Sequence, residues 1–138
     1  CLWGNMPPHK LLFIASAARA LGVTHLIETG RKGGASAWAY AELGFQVSSV
    51  ELVPLNNVAA TLSVLAPAVR LVDGNGSVLV PHIVQEILAQ APSARIALVV
   101  DGPKGLEGLA LVERLLPNVV FAVLDDVRKG SDLRAIVA

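Results

Sequence analysis

A glycine-rich segment, Glu28-Thr29-Gly30-Arg31-Lys32-Gly33-Gly34, lies between an apolar stretch and a helical pattern. Glycines at such a junction allow a tight turn and let the backbone approach a ligand closely. The spacing is not that of the G-x-G-x-x-G dinucleotide fingerprint. Glu51 ends the next apolar stretch, where a carboxylate can accept hydrogen bonds from ribose hydroxyls. Together these features predict an adenosine-type ligand; the alternative is a plain strand-to-helix turn with a solvated Glu51.

A second set of residues that could do chemistry is acidic. Asp101, Asp125 and Asp126 each follow an apolar stretch, and Lys104 stands three residues after Asp101. Carboxylates brought together would repel, and a hard cation such as Mg²⁺ would relieve that repulsion. The alternative is an ordinary Asp-Gly-Pro turn in which Asp101 caps the following helix and Lys104 lies in solvent.

The elements that must position these residues alternate along the chain. The predicted strands are 24–28, 46–51, 69–72, 95–100 and 119–124. The predicted helices run from Pro7-Pro8 to Gly22, over 35–43, over 55–65, from an N-cap at Ser77 to Gln90, and over 106–116. Trp38, on the helix after the glycine-rich segment, is expected in the core.

This alternation predicts an α/β fold of right-handed βαβ units, doubly wound, with a mainly parallel sheet and helices on both faces. The expected strand order is 3-2-1-4-5. All the acidic residues named above then lie at the carboxyl edge of the sheet, where ligands bind in open α/β sheets.

The chain resembles the class I S-adenosylmethionine-dependent methyltransferases from about Lys10 to Asp126. The resemblance depends on Glu28-Thr29-Gly30, an acidic-x-Gly motif after the first strand, and on Glu51 after the second. It implies that Gly30 and Gly34 face the methionine part of S-adenosylmethionine, with Ser36 nearby. The site residues that it suggests for the cofactor are Glu28, Thr29, Gly30, Gly34, Ser36, Glu51, Asp73, Asn75 and Asp101.

Two points of cofactor recognition stay open in the sequence. Where the family usually carries Gly-Asp after the third strand, this chain has Gly74-Asn75 with Asp73 before it, so the adenine contact is open between Asp73 and Asn75. Arg31 and Lys32 could pair with a phosphate of a nicotinamide dinucleotide, with the carboxylate of S-adenosylmethionine, or with water. Water is the commonest partner of basic residues in loops.

The acidic set is similar to that of metal-dependent O-methyltransferases of the catechol type. That resemblance implies Asp101, Asp125 and Asp126 as metal ligands, with Lys104 as the base and Asp101 beside it in catalysis. The strings Asp-Gly-Pro-Lys-Gly and Leu-Asp-Asp are also similar to methyltransferase-like proteins grouped with cephalosporin hydroxylases. The expected function is methyl transfer to an oxygen of a small molecule, with Mg²⁺ as a second cofactor. The alternatives are a non-catalytic methyltransferase-like module and an NAD-binding oxidoreductase domain.

The composition of the chain argues against two classes of binding partner. Hydrophobic residues make up 54% of the 138 residues, and the 11 basic and 11 acidic residues balance. A neutral chain has no general attraction to nucleic acid or an anionic membrane, so neither is expected as a partner. The lone Cys1 favours a reducing, cytoplasmic setting.

The domain organisation follows from length. The 138 residues are expected to form one Rossmann-like domain. The full methyltransferase fold has two further strands, so we expect truncation after the fifth strand. We also expect a homo-oligomer to cover the sheet edge thus exposed.

Overall fold

A computed structural model of the chain describes residues 6–125. Its centre is a five-stranded, wholly parallel sheet in the order β3-β2-β1-β4-β5. The strands are β1 (His25–Thr29), β2 (Gln46–Glu51), β3 (Arg70–Asp73), β4 (Ile96–Val100) and β5 (Phe121–Leu124). The predicted α/β class, parallel pairing and strand order are confirmed.

Helices connect the strands. They are α1 (Pro8–Ala20), α2 (Ala35–Glu42), α3 (Asn56–Leu65), α4 (Gly76–Gln90) and α5 (Gly105–Leu115), with a 3-10 turn over Leu116–Asn118. The expected cap at Ser77 is wrong: Asn75 is the N-cap of α4, and its side-chain oxygen accepts a hydrogen bond from the Ser77 N–H over 2.9 Å. Asn and Ser are nearly equal as caps, so the sequence alone did not separate them.

The sheet is buried on both faces, as the doubly wound architecture requires. On one face, α1, α2 and α3 pack over strand side chains such as Leu26 and Val99. On the other, α4 and α5 pack over side chains such as Ile27 and Leu98. Because neighbouring strand residues point to opposite faces, a strand covered on both sides is apolar throughout. All five residues of β4 are accordingly buried.

The prediction for Trp38 is wrong. Its side chain lies on the outer side of α2 with 40% of its surface exposed, whereas Tyr40, two residues later, is fully buried. A separation of two residues corresponds to about 200° around a helix, so both cannot face the sheet. Burial raises the pKa of the Tyr40 hydroxyl, which donates to the Met6 sulfur.

Among residues 6–125, no helix is long and apolar enough to cross a membrane. The expected truncation after β5 and the expected edge-covering oligomer concern chain beyond Asp125 or a second molecule, so both stay predictions.

Candidate functional site

The carboxyl ends of four strands surround a cleft of about 380 Å³, called the main cleft below. It is lined by residues 29, 30 and 32 at and after the end of β1, 50–53 at and after the end of β2, 74–76 after β3, and 101–104 with Glu107 after β4. A groove of about 440 Å³ lies at the opposite edge, beside His25 and Gln46. Ligands of open α/β sheets bind at the carboxyl edge, so the main cleft is the candidate site.

Glu51 forms part of the cleft wall, and the backbone holds its carboxylate in place. One oxygen accepts a hydrogen bond from the Lys32 N–H over 2.7 Å, and the other accepts one from the Val53 N–H over 3.1 Å. Each carboxylate oxygen has a further acceptor site. This partly buried carboxylate is therefore oriented, and it can accept further hydrogen bonds from water or a ligand.

Glu28 lies near the carboxyl end of β1, the strand that pairs with β2. Its buried carboxylate accepts hydrogen bonds from the hydroxyls of Ser36 and Ser49, both over 2.7 Å. Burial raises the pKa of Glu28, and the two serines and the nearby Arg31 oppose that rise. Glu28 and Ser36 line a cavity of about 20 Å³ next to the main cleft. The structure thus brings Glu28 and Ser36 together beside the main cleft, and their predicted contact with the cofactor stays a prediction.

Arg31 departs most clearly from the sequence expectation. It is not solvated: only 1% of its side-chain surface is exposed. One guanidinium nitrogen donates to the Ser49 carbonyl over 3.1 Å, and another donates to the Asp73 carboxylate over 2.5 Å. The predicted phosphate or cofactor contact of Arg31 is therefore replaced by a bridge between β2 and β3.

The Arg31 bridge distinguishes the two residues, Asp73 and Asn75, that the sequence left open for the adenine contact. Asp73 is engaged by Arg31 and does not belong to the lining of the main cleft, whereas Asn75 lines it while capping α4. Of the two residues that the sequence left open, Asn75 is the one in the cleft wall.

The loop after β1 makes a close turn against β4. Gly30 has a φ of +82°, and a Cβ there would meet the Asp101 main chain at 3.2 Å. Gly34 also has a positive φ of +77°, at the N-cap of α2. Lys32 adopts a positive φ of 44° although it carries a side chain, a conformation that L-residues adopt rarely and at a cost in free energy. That turn is what directs the Lys32 N–H at Glu51.

Thr29 contributes a buried hydroxyl to the lining of the main cleft. Among the described residues, its Oγ1 is a buried side-chain oxygen without a hydrogen-bond partner. A buried, unsatisfied hydroxyl costs free energy unless water or a ligand completes it. Thr29 itself lines both the main cleft and the small cavity beside it, so this buried hydroxyl lies next to the glycine turn.

The predicted acidic set lies only partly within the described residues. Asp101 lines the main cleft, but it accepts a hydrogen bond from the Lys104 ammonium over 2.5 Å and has the Lys32 ammonium 3.8 Å away. Asp125 is paired instead with Lys10 of α1. Within residues 6–125 no group of three potential ligands could hold a metal ion. Asp126, the third predicted ligand, lies outside the described residues.

Asp101 does not cap the next helix, although the alternative interpretation expected this, but the Lys104 side chain is exposed, as that interpretation expected. The N-cap of α5 is Lys104, without a side-chain hydrogen bond. What the structure contains is an Asp101–Lys104 ion pair in the cleft wall, so both predicted catalytic residues reach the site.

Sequence reasoning did not find three features of the site. They are the Arg31 bridge, the Val53 N–H that holds Glu51, and the Lys10–Asp125 pair. The Arg31 bridge and the Lys10–Asp125 pair depend on contacts between elements that are distant in sequence, 115 residues in the second case. The Val53 N–H lies only two residues from Glu51, so this contact is local.

The fold and the geometry define a Rossmann-like, doubly wound α/β domain with a cleft at its carboxyl edge. No family model, curated protein or solved structure matches the chain.

Proposed function

We propose that this protein binds S-adenosylmethionine in the main cleft and transfers its methyl group to an oxygen of a small molecule. The observation that carries the proposal is the oriented carboxylate of Glu51, held by the amides of Lys32 and Val53 in the cleft wall. A fixed acceptor at the end of the second strand is what recognition of a ribose diol needs. The cleft volume of about 380 Å³ lies within the range of small-molecule sites.

The residues present fit an adenosyl ligand in two further respects. The buried Thr29 hydroxyl in the cleft lining lacks a partner among the described residues. Gly30 adds no side chain to the cleft wall beside Asp101, which leaves that space open. On this proposal Glu51 holds the ribose, Asn75 lies towards the adenine, and Glu28, Ser36 and the turn through Gly34 adjoin the methionine part.

The loop after β1 favours this ligand over a nicotinamide dinucleotide. A pyrophosphate needs free backbone N–H groups at such a turn. Here the N–H groups of Gly30, Arg31, Lys32 and Gly34 all donate to protein oxygens. Arg31, one of the two basic residues of the turn, is buried against Asp73.

S-adenosylmethionine, when bound, supplies a methyl group activated on a sulfonium sulfur. The chain's own contribution would be to orient the acceptor hydroxyl and to take its proton. We assign the proton to the Asp101 carboxylate, which lies in the cleft wall, because the Lys104 ammonium that donates to it has no lone pair; Lys104 holds that carboxylate in place. The described carboxylates do not fit Mg²⁺, since Asp101 and Asp125 each face a lysine, so no step is assigned to a metal.

A second candidate is a non-catalytic module that binds the same nucleoside. The Asp101–Lys104 ion pair favours it, because each group already has an opposite charge as its partner. Retained ligand binding without methyl transfer to any acceptor would identify this case.

Calorimetric titration tests the proposal. We expect S-adenosylhomocysteine to bind and NAD to bind at least tenfold more weakly, since four amides of the turn already have protein acceptors and Arg31 is buried. Tight NAD binding without S-adenosylhomocysteine binding would overturn the proposal. Transfer of a labelled methyl group to a panel of hydroxylated small molecules, with Asp101→Asn and Lys104→Met as variants, tests catalysis separately.

A further inference from the structure

We infer that Arg31 is a positioning residue for ribose recognition: its buried guanidinium holds the turn that orients Glu51. This inference rests on the proposed function and deepens it by naming the group that sets the specificity of the same site. Arg31 does not line the main cleft, so it would act through Glu51 and not on the ligand.

The geometry connects Arg31 to Glu51 through the backbone. Its guanidinium joins the Ser49 carbonyl of β2 to the Asp73 carboxylate at the end of β3. Asp73 is the register partner of Glu51 across the two strands. The next residue along the chain, Lys32, donates its N–H to Glu51 over 2.7 Å. One side chain therefore holds both strand ends and the turn that meets them.

The turn depends on this anchoring because its backbone is strained. Lys32 has a φ of 44°, which for a residue with a side chain is maintained only when the surroundings over-determine it. The hydrogen bonds of the Gly30 and Arg31 N–H groups to the Val50 carbonyl hold the start of the turn, at 2.9 and 3.4 Å. The Arg31 side chain holds its middle. Without the guanidinium, Lys32 could relax, and its N–H would leave Glu51.

Stability alone does not account for this arrangement. Burying a guanidinium carries a desolvation cost that its ion pair often fails to recover, and an apolar side chain of similar volume is frequently as stable. Asp73 keeps 56% of its side-chain surface exposed, which screens the attraction further. What a planar guanidinium provides here is two directed hydrogen bonds that fix geometry.

The test uses two nucleosides that differ only in the ribose diol: adenosine and 2′,3′-dideoxyadenosine. We expect the wild-type protein to bind adenosine about tenfold more tightly, because Glu51 accepts from the diol. Arg31→Met and Arg31→Lys should remove that preference, lowering adenosine affinity about tenfold and leaving dideoxyadenosine affinity unchanged. Asp73→Asn, a change at a half-exposed side chain, should reduce the preference without threatening folding.

The control is Arg70→Met. Arg70 lies at the other end of β3 and pairs with Glu86 over 2.7 Å, so the same chemical change there breaks an ion pair remote from the cleft. It should leave the preference intact. Amide hydrogen exchange adds a readout without ligand: Lys32 and Val53 should exchange faster in the Arg31 variants, with Val99 of β4 unchanged.

The outcomes separate the two proposals. Suppose that the wild-type protein prefers adenosine and that the Arg31 variants lose affinity for both nucleosides by the same factor. The inference is then overturned and the proposed function stands. If the wild-type protein binds neither nucleoside, the proposed function is overturned, and the inference falls with it. Loss of the diol preference in Arg31→Met, Arg31→Lys and Asp73→Asn, but not in Arg70→Met, supports both.

Discussion

The Glu51 carboxylate accepts a hydrogen bond from the Lys32 backbone N–H over 2.7 Å. This bond joins the end of the second strand to the glycine turn after the first, so the two sequence motifs form one wall of one cleft. A carboxylate held this way is oriented before any ligand arrives, and pre-organised groups lose less entropy on binding.

Glu51→Gln should weaken adenosine binding about tenfold, because the variant loses the charge and one of two acceptor oxygens. The fold should lose only about 1 kcal/mol, since one backbone N–H loses its acceptor. Calorimetry and denaturant unfolding measure the two effects. Glu86→Gln, at a surface ion pair with Arg70, is the matched control and should change neither. Equal affinities of Glu51→Gln and the wild-type protein would exclude Glu51 from ligand recognition.

Glu28 should make stability depend on pH. Burial raises its pKa in the folded state above the ordinary value of 4.5, so the folded protein holds a proton that the unfolded chain releases. The folded state then binds more protons across this window, and the free energy of unfolding falls as the pH rises above 4.5. Below 4.5 the contribution is fully present, and it is lost as the pH passes the folded-state pKa.

Glu28→Gln isolates this effect, because the amide stays neutral at every pH. The free energy of unfolding of the wild-type protein, relative to this variant, should decline as the pH is raised from below 4.5 to neutrality. Denaturant unfolding at a series of pH values measures it. A difference that is constant, or that grows in favour of the wild-type protein with pH, would contradict the raised pKa.

Gly30→Ala should destabilise the fold and impair the cleft, because both the backbone angle and the space oppose a side chain. The positive φ alone costs about 1–2 kcal/mol. A Cβ would also press on the Asp101 main chain at 3.2 Å. Gly44→Ala is the matched control: its φ is also positive, but nothing lies within 4 Å of the added Cβ. In denaturant unfolding, Gly30→Ala should lose more stability, and it alone should lose S-adenosylhomocysteine affinity. Equal losses would show that the close approach to Asp101 has no effect.

Mg²⁺ should not raise the melting temperature of the wild-type protein. Asp101 and Asp125 are each paired with a lysine, and an ammonium group opposes binding of a divalent cation. Thermal unfolding with and without millimolar Mg²⁺ measures this. A stabilisation that disappears in Asp101→Ala would instead support the metal site predicted from the sequence.

The sequence by itself determined the architecture. Apolar runs separated by helical patterns and by glycine and proline predict alternating strands and helices, and right-handed connections then limit the strand order. This is why the parallel 3-2-1-4-5 sheet and the placement of Glu28, Glu51 and Asp101 at its carboxyl edge were predictable. Strand ends shifted by a residue or more, as for β3, because ladder partners set them.

The tertiary structure decided which charged groups meet. Arg31 looked like a solvated loop residue, yet it is buried against Asp73; Asp125 looked like a metal ligand, yet Lys10 holds it. Local sequence patterns predict strands, helices and turns, because hydrophobic periodicity and turn preferences act over a few residues. The partner of a charged side chain depends on how elements that are distant in sequence pack together. A pattern of a few neighbouring residues does not contain that information. The glycine turn could therefore be predicted from the sequence, whereas the contacts of the arginine that anchors it could not.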